Sequence, residues 1–71
     1  MLTKDDLTLN EFDHPLTERL CRILCEHEGV ENADKESIST GKWKVKEGVT
    51  YKLWEYRLPK VRAILGELEN G

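Results

Sequence analysis

The side chains whose donor atoms could do chemistry are Cys21, Cys25, His27 and His14. A structural zinc site takes four ligands in paired short spacings, and here only Cys21 and Cys25 are well placed. Four apart on a helix, they lie on one face beside an apolar stripe, where cysteine acts as a small hydrophobe and does not meet its neighbour in disulfide geometry. Cys25 and His27, two apart on the same helix, point in different directions, so spacing gives no activated nucleophile. A glycine-rich phosphate loop is absent from the sequence. These residues predict no metal, no cofactor, no enzyme activity and reduced thiols.

The second constellation is basic and aromatic. Between Gly41 and Arg62 stand Lys42, Lys44, Lys46, Lys52, Arg57, Lys60 and Arg62 against Glu47 and Glu55, a local charge of +5, interleaved with Trp43, Tyr51, Trp54 and Tyr56. Lysines on one side of a strand can neutralise successive phosphates, and an aromatic beside them can stack on a base or pack on a sugar. The plain structural alternative is an edge strand kept from aggregating by its lysines, with both tryptophans in the core. A third patch is acidic: Asp5 to Glu36 could mimic phosphate toward a nucleic-acid enzyme or dock a protein, although such runs are commonly only a solvated face.

Positioning these groups falls to a short chain. Its 71 residues predict one domain over 1–71, burying about 60% of the surface exposed on unfolding, so the core is small. Residues 1 to 39 carry four Lys or Arg against ten Asp or Glu, and residues 40 to 71 carry seven against four, so the halves have net charges of -6 and +3. With 38% hydrophobic and 35% charged residues and only short apolar runs, neither a membrane span nor a leader is expected, and the expected location is the cytoplasm.

Thr3-x-x-Asp6 and Thr8-x-x-Glu11 are overlapping helix starts, predicting a helix of one or two turns within Thr3 to Asp13 that Pro15 closes. Leu16, Leu20, Ile23 and Leu24 repeat at three and four, predicting a helix that Gly29 ends in a left-handed cap. Val30 to Thr40 reads as a loop with one helical turn around Ala33 to Ser37 and with Ile38 anchored inward. Lys42 to Lys46 alternates as a strand, Glu47-Gly48 turns, and Val49 to Arg57 returns, predicting a β-hairpin. A rival reading continues Tyr51 to Leu58 as helix through a kink at Pro59. Beyond Pro59, Val61, Ile64, Leu65 and Leu68 predict a last helix, ended by Asn70-Gly71, that docks on Leu16 to Leu24 over the buried face of the hairpin. The expected class is α+β, with two or three short helices packed on a β-hairpin.

This order resembles the excisionase and MerR-type winged-helix proteins of phages and mobile elements. The capped helix there is similar to Leu7-Thr8-Leu9-Asn10-Glu11-Phe12, the second helix to Leu16 through His27, the wing to Lys44 through Leu53, and the closing helix to Arg57 through Leu65. The resemblance implies a winged-helix-like arrangement, DNA as partner, a second helix entering a major groove and a wing on the backbone. It makes Arg19 and Arg22 the groove contacts, although Glu18, Glu26 and Glu28 share that helix, and the loop before the wing is longer than usual. On this reading Lys42, Lys44, Lys46 and Lys52 meet phosphate, and Trp43 or Tyr51 packs. Leu16 to Leu68 also resembles the head-tail joining proteins of long-tailed phages, which implies a structural adaptor. The expected function is thus a small accessory nucleic-acid-binding protein, the alternative being a protein-interaction module, either an acidic inhibitor or such an adaptor.

Overall fold

The first capping signal closes as a turn of 3-10 helix over Lys4–Leu7 in a computed structural model, which describes residues 1–70. The Thr3 N–H donates to Asp6 Oδ2 at 2.8 Å and its hydroxyl to the same oxygen at 3.0 Å. The second signal forms no helix. Thr8 turns its hydroxyl back to the Lys4 carbonyl at 2.8 Å, and Asn10 and Asp13 each accept a backbone N–H within the following turn. Short polar side chains that bond their own backbone compete with a helix in this way.

Helix α1 spans Thr17–His27. It enters after Pro15, with the Leu16 N–H donating to His14 Nδ1 at 3.0 Å. It leaves through Gly29 at φ 82°, where Gly29 N–H donates to Glu26 O and Val30 N–H to Cys25 O, the paired bonds of a Schellman cap. Its buried face is not centred on the leucines. Thr17, Cys21 and Cys25 are buried, Leu20 and Leu24 flank them half-buried, and Leu16 and Ile23 stand exposed.

An antiparallel strand pair forms as expected, but its first strand lies elsewhere. Strand β1 is Glu36–Ile38, inside the segment read as loop, and β2 is Thr50–Lys52; they pair antiparallel with Glu36 opposite Lys52, Ser37 opposite Tyr51 and Ile38 opposite Thr50. Lys42 to Lys46 is not a strand but the outer part of a connection over residues 39–49. Trp43 (φ 59°) and Lys44 (φ 66°) adopt left-handed backbone that no strand contains. Ile38, expected to point inward, is exposed.

After β2, Trp54 begins a helical path that runs through a second 3-10 turn, Glu55–Arg57, into α2, Leu58–Asn70. Leu58 is itself helical (φ -54°, ψ -48°), so Pro59 sits in the first turn, where its missing N–H leaves no bond unmade. The strand reading therefore holds for residues 50–52 and the helical rival for residues 55–58.

Helices α1 and α2 pack on each other, and besides β1 it is the two 3-10 turns that touch β2. Two small cores result. Cys21, Cys25, Trp54, Leu58 and Val61 fill the helical one, and Leu7, Val45 and Val49 fill the other, with Leu2, Tyr51 and Tyr56 around them. Fully burying a side chain such as Leu58 or Val61 stabilises by about 1.5–3 kcal/mol, more than any exposed ion pair of this domain is worth. Ile64 and Leu68, expected in the α2 stripe, remain exposed. Among the described residues the fold is α+β, with two helices and one antiparallel strand pair, and no helix there is long and apolar enough to cross a membrane.

Candidate nucleic-acid interface

The 39–49 connection is held at its root and at its middle. At the root, Ser39 N–H donates to Val49 O at 2.8 Å and Gly48 N–H to Ser39 O at 3.0 Å, so that Gly48 and Val49 together face Ser39 in a bulge that ends the ladder. At the middle, Leu2 N–H donates to Lys44 O at 2.6 Å and Lys46 N–H to Leu2 O at 2.8 Å, a parallel bridge that carries Val45 into the second core. The Ser39 hydroxyl donates to Val45 O at 3.3 Å and accepts from Gly41 N–H at 3.2 Å, closing the inner turn. Val45 faces inward, so the residues around it are directed into solvent.

Lys42, Trp43, Lys44 and Lys46 are accordingly all exposed, and Trp43 retains 80% of its accessible surface. Trp43 and Lys42 border a cleft of about 230 Å³ whose other walls include Ile38, Tyr51 and Tyr56. The two tyrosine rings lie 5.2 Å apart, tilted by 34°. Burial, and then the neighbouring Tyr51, push the Tyr56 phenol above its usual range. The Tyr56 phenol is therefore uncharged near neutral pH, and Lys42 is the charged side chain that lines the cleft.

The structure thus brings Lys42, Trp43 and Tyr51 together, with Lys44 next to them on the loop. It separates the rest. Lys46 lines another cleft with Lys4, Asp5 and Glu47, where acids balance it. Lys52 is half-buried on β2 opposite Glu36. Arg19 stays exposed on α1. Arg22 is committed elsewhere: its guanidinium donates to both Asp34 oxygens at 3.2 and 2.8 Å, lies 3.5 Å from Glu18, and stacks over the Trp54 ring at 5.3 Å. Hydrogen bonding to Arg22 lowers the Asp34 pKa below the ordinary value.

The remaining arginines are also structural. Arg57 bonds Glu28 and the Leu53 carbonyl. Arg62 donates to both Asp13 oxygens, at 2.7 and 2.8 Å, and to the carbonyls of Asp6 and Thr8 at 2.7 and 2.9 Å, tying the N-terminal segment to α2. The local +5 of the sequence is therefore carried to solvent chiefly by lysine. Half of the acidic run is paired within the chain, through Asp6, Asp13, Glu18, Glu28 and Asp34, of which Asp13 alone has a mostly buried side chain among the ion pairs.

Cys21 and Cys25 sit in the helical core as free thiols, and burial pushes the Cys21 thiol up to about 11 and raises that of Cys25. Of the cleft residues, sequence reasoning named Tyr56 only as an interleaved aromatic and Ile38 only as an anchor, and it missed Ser37, Ser39 and Thr40. The alternation of hydroxyl and β-branched residues from Ser37 to Thr40 was the available signal for a strand there. Comparison of the chain with models of known families, with curated proteins and with solved structures finds no match.

Proposed function

We propose that this is a small accessory nucleic-acid-binding protein whose contact surface is the loop carrying Lys42, Trp43 and Lys44. The observation that carries the reading is the exposure of Trp43 between two free lysines on a loop whose backbone is bonded from both sides. An indole with most of its surface in water buries little apolar area on folding, and flanked by ammonium groups it suits a ligand that offers phosphate and aromatic rings together. On this reading the 39–49 connection plays the part of a wing, Lys42 and Lys44 meet phosphate, and α1 supplies no base contact through Arg22. The protein acts as a binding module and not as an enzyme, and it works in the cytoplasm.

Fluorescence anisotropy of labelled nucleic acid at ~50 and ~200 mM salt tests it. Neutralising two phosphates of duplex DNA should weaken binding about tenfold over that range, and of single strands somewhat less. Lys42→Glu with Lys44→Glu should remove the salt-sensitive binding and leave the melting temperature unchanged. Binding that survives this double substitution removes the loop from the reading.

A protein-interaction module is the second reading, favoured by Phe12, which is 89% exposed on the Asn10–Asp13 turn and borders a cleft of about 210 Å³ against Leu65 and Gly66 of α2. A protein partner retained on the immobilised chain after nuclease treatment, and lost with Phe12→Ala, would favour it.

A further inference from the structure

We infer that the cleft beside Trp43 receives an unpaired base, so that the preferred ligand is a single strand and not a duplex. This rests on the nucleic-acid reading above and names its substrate class. The first ground is what the molecule lacks for reading a groove. A duplex hides the faces of its bases and presents only their edges, which are reached by a protruding element with free basic or amide side chains. Helix α1 has Arg22 bonded to Asp34 and stacked on Trp54, which leaves Arg19 as the one arginine of that helix without such a partner.

The second ground is what the cleft offers. Trp43 presents an open π-face at its rim, the β1 edge at Ile38 lines it, and the Tyr51–Tyr56 pair backs it. A planar heterocycle can stack on the indole, with its sugar against Ile38 and its flanking phosphates on Lys42 and Lys44. Only an unstacked base can present its face in this way.

The third ground is the free edge of β1. Ser39 N–H donates to Val49 O and Leu53 N–H to Lys35 O, so the odd-numbered residues exchange backbone bonds with the β2 side. In an antiparallel pair the intervening residues then turn N–H and C=O outward. Ile38 is one of them, and it lines the cleft, so a donor and an acceptor face the position where the edge of an inserted base would lie.

Left-handed backbone at both Trp43 and Lys44 is the fourth ground. Such φ values are costly for residues with side chains and persist where the surroundings impose them, commonly at binding sites.

The experiment is a titration of the whole chain with an oligothymidylate of about 12 nucleotides and with a duplex of equal length, read by tryptophan fluorescence and by anisotropy. Trp54 is buried and Trp43 exposed, so solvent-exposed indole emission reports on Trp43. The single strand should quench that emission and bind at least about tenfold tighter than the duplex. Trp43→Ala should lower single-strand affinity roughly 5- to 160-fold, the range for loss of one base stack, while Trp43→Phe restores most of it. Duplex binding as tight as single-strand binding, without quenching, overturns the single-strand inference and leaves the nucleic-acid reading standing. No binding of either at ~50 mM salt overturns both. Should Trp43→Ala lower stability, the Trp43→Phe variant and the quenching still decide the matter.

Discussion

Leu2 and Val45 hold each other in a parallel bridge: the backbone of Leu2 donates to Lys44 O and accepts from Lys46 N–H, and the Val45 side chain between them is completely buried. The N-terminal residues therefore set the shape of a loop more than forty positions away. Truncating Val45 to alanine leaves a cavity in a core of three buried residues and should cost about 2 kcal/mol, seen as a lower midpoint in urea unfolding. Leu2→Pro removes the N–H that bonds Lys44 and should cost about 1 kcal/mol. Leu2→Pro should also loosen the loop, measurable as faster acrylamide quenching and lower anisotropy of Trp43 emission. Unchanged Trp43 dynamics in that variant would mean that the bridge does not shape the loop.

Acid sensitivity should centre on Asp13. Its side chain is only 9% exposed, and its bonds to Arg62 lower its pKa below the ordinary carboxylate value. A carboxyl with a depressed folded pKa stabilises fully above its unfolded pKa, about 3.9, and loses that contribution as pH falls through the folded value. Asp6 and Asp34, also lowered by their partners, act in the same direction. Stability should hold near neutrality and decline below about pH 4. Asp13→Asn should cost about 2 kcal/mol at pH 7, the size of charged hydrogen bonds lost, and make the acid decline shallower. An unchanged acid limb in thermal melts of that variant would remove Asp13 from the account.

Strain at Trp43 has a measurable signature. A left-handed conformation costs a residue with a side chain about 1–2 kcal/mol relative to glycine, and glycine gives back up to about 1 kcal/mol through the unfolded chain. Trp43→Gly should therefore leave stability unchanged or raise it by up to ~1 kcal/mol, since the indole buries little. Gly48→Ala, at φ 88° with open space around the added carbon, should do the reverse and cost about 1 kcal/mol. Denaturation midpoints of the two variants check the pair, and a marked loss of stability in Trp43→Gly would show that its side chain packs.

What the chain itself determined is local. The Leu16 to Gly29 and Pro59 to Asn70 patterns specify two helices, because capping, proline placement and a three-four apolar repeat act within a few residues of one another. The aromatic, lysine-rich character of Lys42 to Lys46 and the α+β class were legible on the same terms. Tertiary structure decided everything that depended on a distant partner. The Lys-x-Lys alternation reads as a strand, yet Leu2 takes Val45 as its bridge and Ser39 takes Val49, so the strand forms at Glu36–Ile38 and the lysines become a loop. The edge-strand alternative put both tryptophans in the core, whereas packing against Cys21, Cys25 and Leu58 buries Trp54 and left-handed backbone expels Trp43. Arginines 22, 57 and 62 look the same as the free lysines in sequence. Only the positions of Asp34, Glu28 and Asp13 in space neutralise them, because an ion pair depends on distance and not on order along the chain.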